Sequence, residues 1–280
     1  MSRPFKSEKV IEEQISDATL RAYHVGYDQN RFRLQPLANV IAEVIPEFAL
    51  GHHTGGSIPI TEIRKRLLEA ARTIYNTDKY SRRGEFGELI LHLLLRDFYG
   101  STPLISKIYF KDTANVTVHG FDGVHVVENG AEAKLWLGES KLYDSGKAGV
   151  KALAGDIRQH LKEDYLRREF TLISRKVPQD FPERQKWLDL MDGNQKLDTI
   201  YRGITIPVVC TYSSDAINKY DSEVPEYFAE FEKECKQLKE EFDNEVTTTD
   251  IDIILLLLPV KSKPELVDEL HKRLTNMQEI

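Results

Sequence analysis

The spacing of apolar residues alternates along the chain between a helical and an extended period. Apolar positions three and four apart predict a helix over residues 61–76, with Thr61 as its cap. A second predicted helix begins near Arg83 and runs past Leu95. Because it is apolar on almost every side, we expect it to be buried. The pattern thus predicts one amphipathic helix and one core helix before the period changes.

Beyond residue 100 the chain contains segments rich in β-branched and aromatic residues. Strands are predicted over residues 104–111, 116–127, 133–141, 204–212 and 251–260. Helices are predicted over residues 147–168, 226–245 and 264–277, the first of them capped by Ser145. This order of elements indicates an α/β fold in which helices flank a mixed sheet.

The connection between the second and third predicted strands carries a hairpin signal, Asn129-Gly130. If these two residues form the loop, Asp122 lies opposite Leu137 on the neighbouring strand. Glu139 is then the diagonal neighbour of Asp122 on the same face, at roughly 7–8 Å between backbones. The hairpin therefore predicts that the carboxylates at 122 and 139 lie close together.

Charge limits the kind of partner that the chain can bind. The formal net charge is -7, and twelve acidic residues against four basic ones fall within residues 213–250. Residues 61–83 hold seven basic residues against three acidic ones. We therefore expect the acidity to be confined to a helical insertion, leaving a limited basic patch but no large DNA-coating surface.

Cysteine content and hydropathy exclude further classes. Cys210 and Cys235 are too few for a disulfide scaffold or a cysteine-rich zinc module. No apolar stretch follows the N-terminal residues, and the apolar run at residues 253–259 is far shorter than the ~20 residues that cross a bilayer. We expect a cytoplasmic protein with no membrane partner.

Glu139-Ser140-Lys141, at the end of an apolar strand, is the main candidate for chemistry. Two other Glu-x-Lys tripeptides, at 132–134 and 234–236, fall just past the hairpin turn and in the acidic helix, where exposed charges are ordinary. Charged residues rarely occupy the end of a buried strand without a paired or metal partner. Asp122 and Glu139 can share a hard divalent cation through their oxygens. Lys141 can then orient or polarise the attacking water.

A fourth candidate comes from the predicted core helix. Glu88 stands four residues after Gly84, near the start of that helix. Taken alone, these glutamates have two equally good interpretations: Glu85 and Glu88 can stabilise the positive end of the helix dipole, or they can be functional residues. Joined to the polar residues of the hairpin, Glu88 is interpreted as a functional residue, whereas Glu85 stays open.

A helix glutamate, a strand aspartate, a Glu-x-Lys on the next strand and a following helix resemble the PD-(D/E)xK nuclease superfamily. That motif covers about residues 82–168, and Phe121 stands where the superfamily has its nominal proline. The start Arg82-Arg83-Gly84, with Glu88, is similar to archaeal Holliday-junction resolvases. The fuller segments 83–88, 120–125 and 137–141 resemble the HamA family, the nuclease component of the Hachiman anti-phage defence system.

The resemblance implies a restriction-endonuclease-like core over residues 60–280, with residues 1–59 as an N-terminal extension and a helical insertion at about 213–250. It implies Mg²⁺-dependent hydrolysis of DNA phosphodiester bonds, with Mn²⁺ as an alternative cation. The implied cation ligands are Asp122, Glu139, the Ser140 carbonyl and Glu88, the last directly or through water. Lys141 would orient the nucleophile or contact the scissile phosphate.

The resemblance also implies partners. A helicase subunit, HamB, would act with the nuclease and control its cleavage of DNA. Five basic residues near the site would meet neighbouring phosphates: Lys147, Lys151, Arg158, Arg82 and Arg83. For Lys147, Lys151 and Arg158, a solvated helix face is an equally good interpretation.

Two competing interpretations stay open. The chain can be a non-catalytic adaptor that keeps the nuclease fold as a DNA- or partner-binding module. It can also be an unrelated α/β domain in which Lys141 neutralises Glu139 in a structural salt bridge. The second interpretation leaves Asp122 without a role.

Overall fold

The computed structural model describes residues 6–51, 59–74, 84–106, 120–129, 132–246 and 249–280. Its strands are β1 (Glu12–Ser16), β2 (Leu20–His24), β3 (Tyr27–Asp28), β4 (Arg31–Phe32), β5 (Thr102–Ser106), β6 (Gly123–Asn129), β7 (Glu132–Tyr143), β8 (Ile204–Ser213) and β9 (Asp252–Val260). Its helices are α1 (Leu34–Glu43), α2 (Ile45–Leu50), α3 (Ile63–Ile74), α4 (Glu85–Tyr99), α5 (Gly146–His160), α6 (Glu163–Lys176), α7 (Arg184–Leu190), α8 (Leu197–Gly203), α9 (Asp215–Lys219), α10 (Pro225–Glu245) and α11 (Lys263–Gln278).

Within the described residues, seven of these strands form one sheet in the order β1-β2-β9-β8-β7-β6-β5. The four central strands, β2, β9, β8 and β7, are mutually parallel, and antiparallel strands flank them on both sides. Parallel strands covered on both faces are apolar along most of their length. β8 follows this rule, since nine of its ten residues are buried. The expected mixed sheet flanked by helices is confirmed.

Each face of the sheet has its own layer of helices. One face packs against α5, α6 and α10, and the other against α1, α4 and α11. Side chains of a strand point alternately to the two faces. β7 accordingly directs Leu135 and Leu137 toward the α5 layer and Trp136 toward the α4 layer.

The N-terminal part of the chain contributes to the same sheet. β1 and β2 form an antiparallel pair, and β2 then pairs in parallel with β9, Leu20 lying opposite Leu255. Leu20 and Leu255 are both buried in the α5 layer. The division between an extension and a core at residue 60 stays a prediction.

Most of the predicted elements are present, with one division that the sequence did not indicate. The region predicted as one helix over 147–168 contains two, because α5 ends at His160 and α6 begins at Glu163. Lys162 between them has an extended backbone, with φ -64° and ψ 130°. Ser145 caps α5 as predicted, its hydroxyl oxygen accepting the Ala148 N–H at 3.3 Å.

The predicted register of the hairpin is wrong by two residues. β6 and β7 are antiparallel as expected, but Val124 rather than Asp122 lies opposite Leu137. Asn129 pairs with Glu132 at the last position of the ladder, so the connection consists of residues 130 and 131, which lie outside the described residues. A shift of two leaves every side chain on its expected face, because the period of a strand is two.

None of the described helices is long and apolar enough to cross a membrane.

Candidate active site

Asp122 lies immediately before β6, next to the ladder pair of Gly123 and Gly138. Its N–H donates to the Gly138 carbonyl at 2.9 Å. Its carboxylate Oδ2 accepts two hydrogen bonds from Ser140, one from the backbone N–H at 2.9 Å and one from the hydroxyl at 2.7 Å. With the observed register, Asp122 therefore lies directly beside the Glu139-Ser140-Lys141 tripeptide and not diagonally across from Glu139.

Glu139 and Lys141 lie on the α5 side of the sheet. Glu139 is only 4% exposed, and the Lys141 ammonium donates to its Oε1 at 3.1 Å. The same ammonium forms an ion pair with Asp156 Oδ2 of α5. Lys141 is thus held between a carboxylate of its own strand and one from the adjacent helix.

The electrostatic environment keeps Lys141 charged. Burial by itself would lower the pKa of its ammonium, but three nearby carboxylates outweigh burial and raise that pKa above its ordinary value. They belong to Glu139, Asp156 and Asp122. Lys141 is therefore a cation at neutral pH, suited to bind an anion or to orient water and unsuited to accept a proton.

A second residue of α5 lies against the same glutamate. His160 Nδ1 is 3.9 Å from Glu139 Oε2, and the histidine ring is buried. The ring stacks on Tyr165 with 4.6 Å between centroids and an interplanar angle of 17°, and Phe121 packs against it edge-on. The break between α5 and α6 is what allows Tyr165 to turn back onto His160.

Glu88 approaches from the other side of the sheet. α4 crosses β7 closely at Gly87. A Cβ added to this glycine would lie 3.1 Å from Ser140 Oγ, so the serine side chain would have to shift slightly to accommodate it. Glu88 is the next residue and is buried, at 6% exposure. The structure thus brings Asp122, Glu139, Ser140 and Lys141 together and places Glu88 on the helix that packs against Ser140.

A family model named HamA matches residues 3–274. The chain belongs to the HamA family. The predicted resemblance to that family is confirmed, and membership associates the protein with the Hachiman anti-phage defence system. No curated protein matches the chain.

The polar groups of this HamA-family chain suit a hard divalent cation. Carboxylate and carbonyl oxygens are the ligands that Mg²⁺ prefers, and Mg²⁺ usually retains several waters beside one or two carboxylates. Across the described ranges, no three His, Cys, Asp or Glu side chains are grouped closely enough to hold a metal ion. A cation at this site would therefore have at most two carboxylate ligands, a number with which Mg²⁺ is often bound. The predicted ligand set of Asp122, Glu139, the Ser140 carbonyl and Glu88 stays a prediction.

The predicted DNA-contacting cations of α5 face the acidic helix α10. Lys147 and Lys151 pair with Glu241, and Lys151 also lies 3.8 Å from Glu245. Arg158 donates to the Glu245 carboxylate at 2.9 Å and to its backbone carbonyl at 2.8 Å. The acidic segment thus neutralises the basic face of α5. Arg82 and Arg83, the other predicted contacts, lie outside the described residues.

Asp156 and His160 are the site residues that the sequence prediction missed. They stand at positions i+3 and i+7 from Leu153, on the stripe that also carries the buried Ile157. Two polar residues interrupting the apolar stripe of a helix that follows a Glu-x-Lys strand are the signal that points to them.

Proposed function

We propose that this chain is the effector nuclease of an anti-phage defence complex, a metal-dependent DNA endonuclease controlled by a helicase partner. The observation that supports the proposal best is the cluster at the second half of β7. There the Asp122 carboxylate bonds to Ser140, and Lys141 bonds to the buried Glu139. Two acids and a lysine gathered at one strand are consistent with the proposed PD-(D/E)xK nuclease chemistry.

Each residue has a defined task in the proposed reaction. Asp122, Glu139 and the Ser140 carbonyl would hold Mg²⁺ or Mn²⁺. A cation bound there would lower the pKa of its bound water and neutralise charge on the phosphate. The Lys141 ammonium orients the attacking water or contacts an oxygen of the scissile phosphate. Hydrolysis forms one P–O bond to the water oxygen and breaks one P–O ester bond. The attacking water loses a proton to solvent and the departing sugar oxygen takes one up from solvent, so the products are a phosphate monoester end and a hydroxyl end.

The charge distribution supports the proposed control by a helicase subunit, HamB. The cations of α5 that would meet neighbouring phosphates are already paired with Glu241 and Glu245. Affinity for DNA depends strongly on the number of phosphates that a protein neutralises. We therefore propose that the partner supplies most of the grip on DNA and restrains cleavage until it is triggered.

The test is cleavage of supercoiled plasmid by the full chain with Mg²⁺, alone and with its helicase partner. We expect EDTA to abolish cleavage and Lys141→Met to lower its rate by about 100- to 1000-fold. Lys134→Met, which removes a lysine from the first half of the same strand, should leave cleavage unchanged. Undiminished cleavage by Lys141→Met would contradict the assignment of the site, and equal cleavage with and without the partner would contradict the proposed control.

A second function, a non-catalytic DNA- or partner-binding adaptor, is favoured by one observation. Lys141 is already paired with Glu139 and Asp156, which leaves its charge partly satisfied. Calorimetric titration with Mg²⁺ distinguishes the two functions. An adaptor is expected to bind no Mg²⁺ at this site and to bind DNA equally well when Glu139 is replaced by glutamine.

A further inference from the structure

α5 lies close against the strand that carries the candidate site. An added Cβ on Gly149 would lie 2.5 Å from Cys210 Sγ of β8 and 3.4 Å from Tyr143 Cβ of β7, so only glycine permits this approach. Two turns further on, the short side chain of Asp156 reaches the Lys141 ammonium. The helix and the strand are therefore packed in a register that fixes this contact.

The carboxylates around Lys141 have different tasks in the proposed function. Glu139 and Asp122 are the proposed cation ligands, and the Lys141 ammonium lies 3.1 Å from Glu139 Oε1. An ammonium that rests on a ligand oxygen competes with a divalent cation for it. Among the described carboxylates that raise the pKa of Lys141, Asp156 is the one with no proposed role as a ligand.

We propose that Asp156 is a positioning residue of the nuclease: it holds the Lys141 ammonium beside Glu139 without occupying a cation ligand. This inference rests on the proposed function and adds a residue to it. When Glu139 binds the cation, Lys141 keeps a carboxylate partner on α5 and stays aimed at the position of the attacking water. His160, one turn after Asp156 and 3.9 Å from Glu139, supports the same face of the site.

The test compares variants of the full chain assayed with its helicase partner at saturating Mg²⁺. Asp156→Asn should lower the cleavage rate constant at saturating DNA by about 10- to 100-fold, since misplacing a reacting group by about 1 Å costs up to about 100-fold. The DNA concentration for half-maximal rate should change less than about twofold, because Lys141, the partner of Asp156, is proposed to act at the scissile phosphate and the attacking water and not to supply the grip on DNA. Asp156→Glu should recover part of the rate.

Two controls separate positioning from a general structural role. Asp252→Asn removes an aspartate of β9 that pairs at 2.6 Å with Lys134 of β7, the strand that carries Lys141, and it should leave the rate unchanged. In a Lys141→Met background, Asp156→Asn should cause no additional loss, since both changes remove the same interaction.

The outcomes are distinct. An active wild-type complex whose rate constant is unchanged by Asp156→Asn overturns this inference, and so does a loss that persists in the Lys141→Met background. A wild-type complex that does not cleave overturns the proposed function instead. A double-mutant cycle on urea unfolding reports the Asp156–Lys141 contact independently of cleavage, and a coupling of zero would overturn the inference as well.

Discussion

β7 carries two Glu-x-Lys tripeptides seven residues apart, and the structure gives them different surroundings. At the first, Glu132 is exposed, and Lys134 pairs with Asp252, with side chains 32% and 64% exposed. At the second, the Lys141 and Glu139 side chains are 22% and 5% exposed. α5 packs on their side of the sheet, and α4 packs against Ser140 on the other side. An odd separation also puts the two pairs on opposite faces of the sheet.

This difference shows that the tripeptide has no chemistry of its own. Exposed ion pairs such as Lys134–Asp252 contribute about 0–1 kcal/mol and are screened by salt. The second tripeptide gains its character from its neighbours. The buried Asp122 carboxylate accepts hydrogen bonds from Ser140, and the Asp156 carboxylate of α5 pairs with Lys141. Neighbouring elements, rather than the pattern itself, decide which Glu-x-Lys forms a candidate site.

The largest effect that separates the two tripeptides is expected from the glutamates. Glu139→Gln should lower plasmid cleavage by about 100- to 1000-fold, as loss of a preorganised charged group does in other enzymes. It should also weaken Mg²⁺ binding in calorimetry. Glu132→Gln, the same change on the same strand, should alter neither quantity. If both variants cleave like the wild type, the two halves of β7 are functionally equivalent and the site lies elsewhere.

A smaller effect is expected from the central residues of the two tripeptides. Ser140→Ala removes a buried hydrogen bond to the Asp122 carboxylate, so the free energy of unfolding in urea should fall by about 1–3 kcal/mol. Ala133→Ser makes the reverse exchange in the first tripeptide and should change the free energy of unfolding by no more than about 0.5 kcal/mol. Equal changes would mean that the Ser140–Asp122 bond adds nothing to stability.

The smallest effect concerns α5, which only the second tripeptide adjoins. Replacing Glu241 and Glu245 together by glutamine removes the carboxylate partners of Lys147, Lys151 and Arg158 on α10, and DNA affinity should rise about two- to tenfold. Its dependence on salt should steepen as phosphates are contacted.

The matched control is the pair Glu226→Gln and Glu240→Gln, which removes the same charge from exposed positions of α10. If the control pair raises DNA affinity as much, the effect comes from net charge and the contacts with α5 are irrelevant to it.

Local patterns predicted the buried helix and five of the strands, β5 to β9, although parts of the predicted strands 104–111 and 116–127 lie outside the described residues. The strands β1 to β4 were not predicted. Glu88, Asp122, Glu139 and Lys141 were also selected from local patterns, and their catalytic roles stay a prediction. Strand faces were also predictable, because a register error of two does not change them. The register itself was not predictable, because Asn129 pairs with Glu132 in the ladder instead of lying in the turn.

Features that depend on distant contacts were not predictable in this way. Asp156 becomes a site residue only because α5 packs on β7, and the pairing of β2 with β9 joins segments more than 200 residues apart. Arg158 is indistinguishable from a solvated cation by periodicity, because its partner Glu245 lies 87 positions away. Packing between layers decides these roles. Periodicity marks Asp156 as a polar residue on an apolar stripe, but it does not show which strand that stripe packs against.

The pairing of β2 with β9 has a consequence for biosynthesis. Leu20–His24 leaves the ribosome early, yet its neighbour Asp252–Val260 is translated more than 200 residues later. At about 5–20 residues per second, that interval is on the order of 10 to 50 s. Throughout it, β2 keeps one edge unsatisfied and open to wrong pairing. The sheet is completed only when β9 inserts between β2 and β8, so a nascent polypeptide cannot assemble this sheet before residue 260 has been translated.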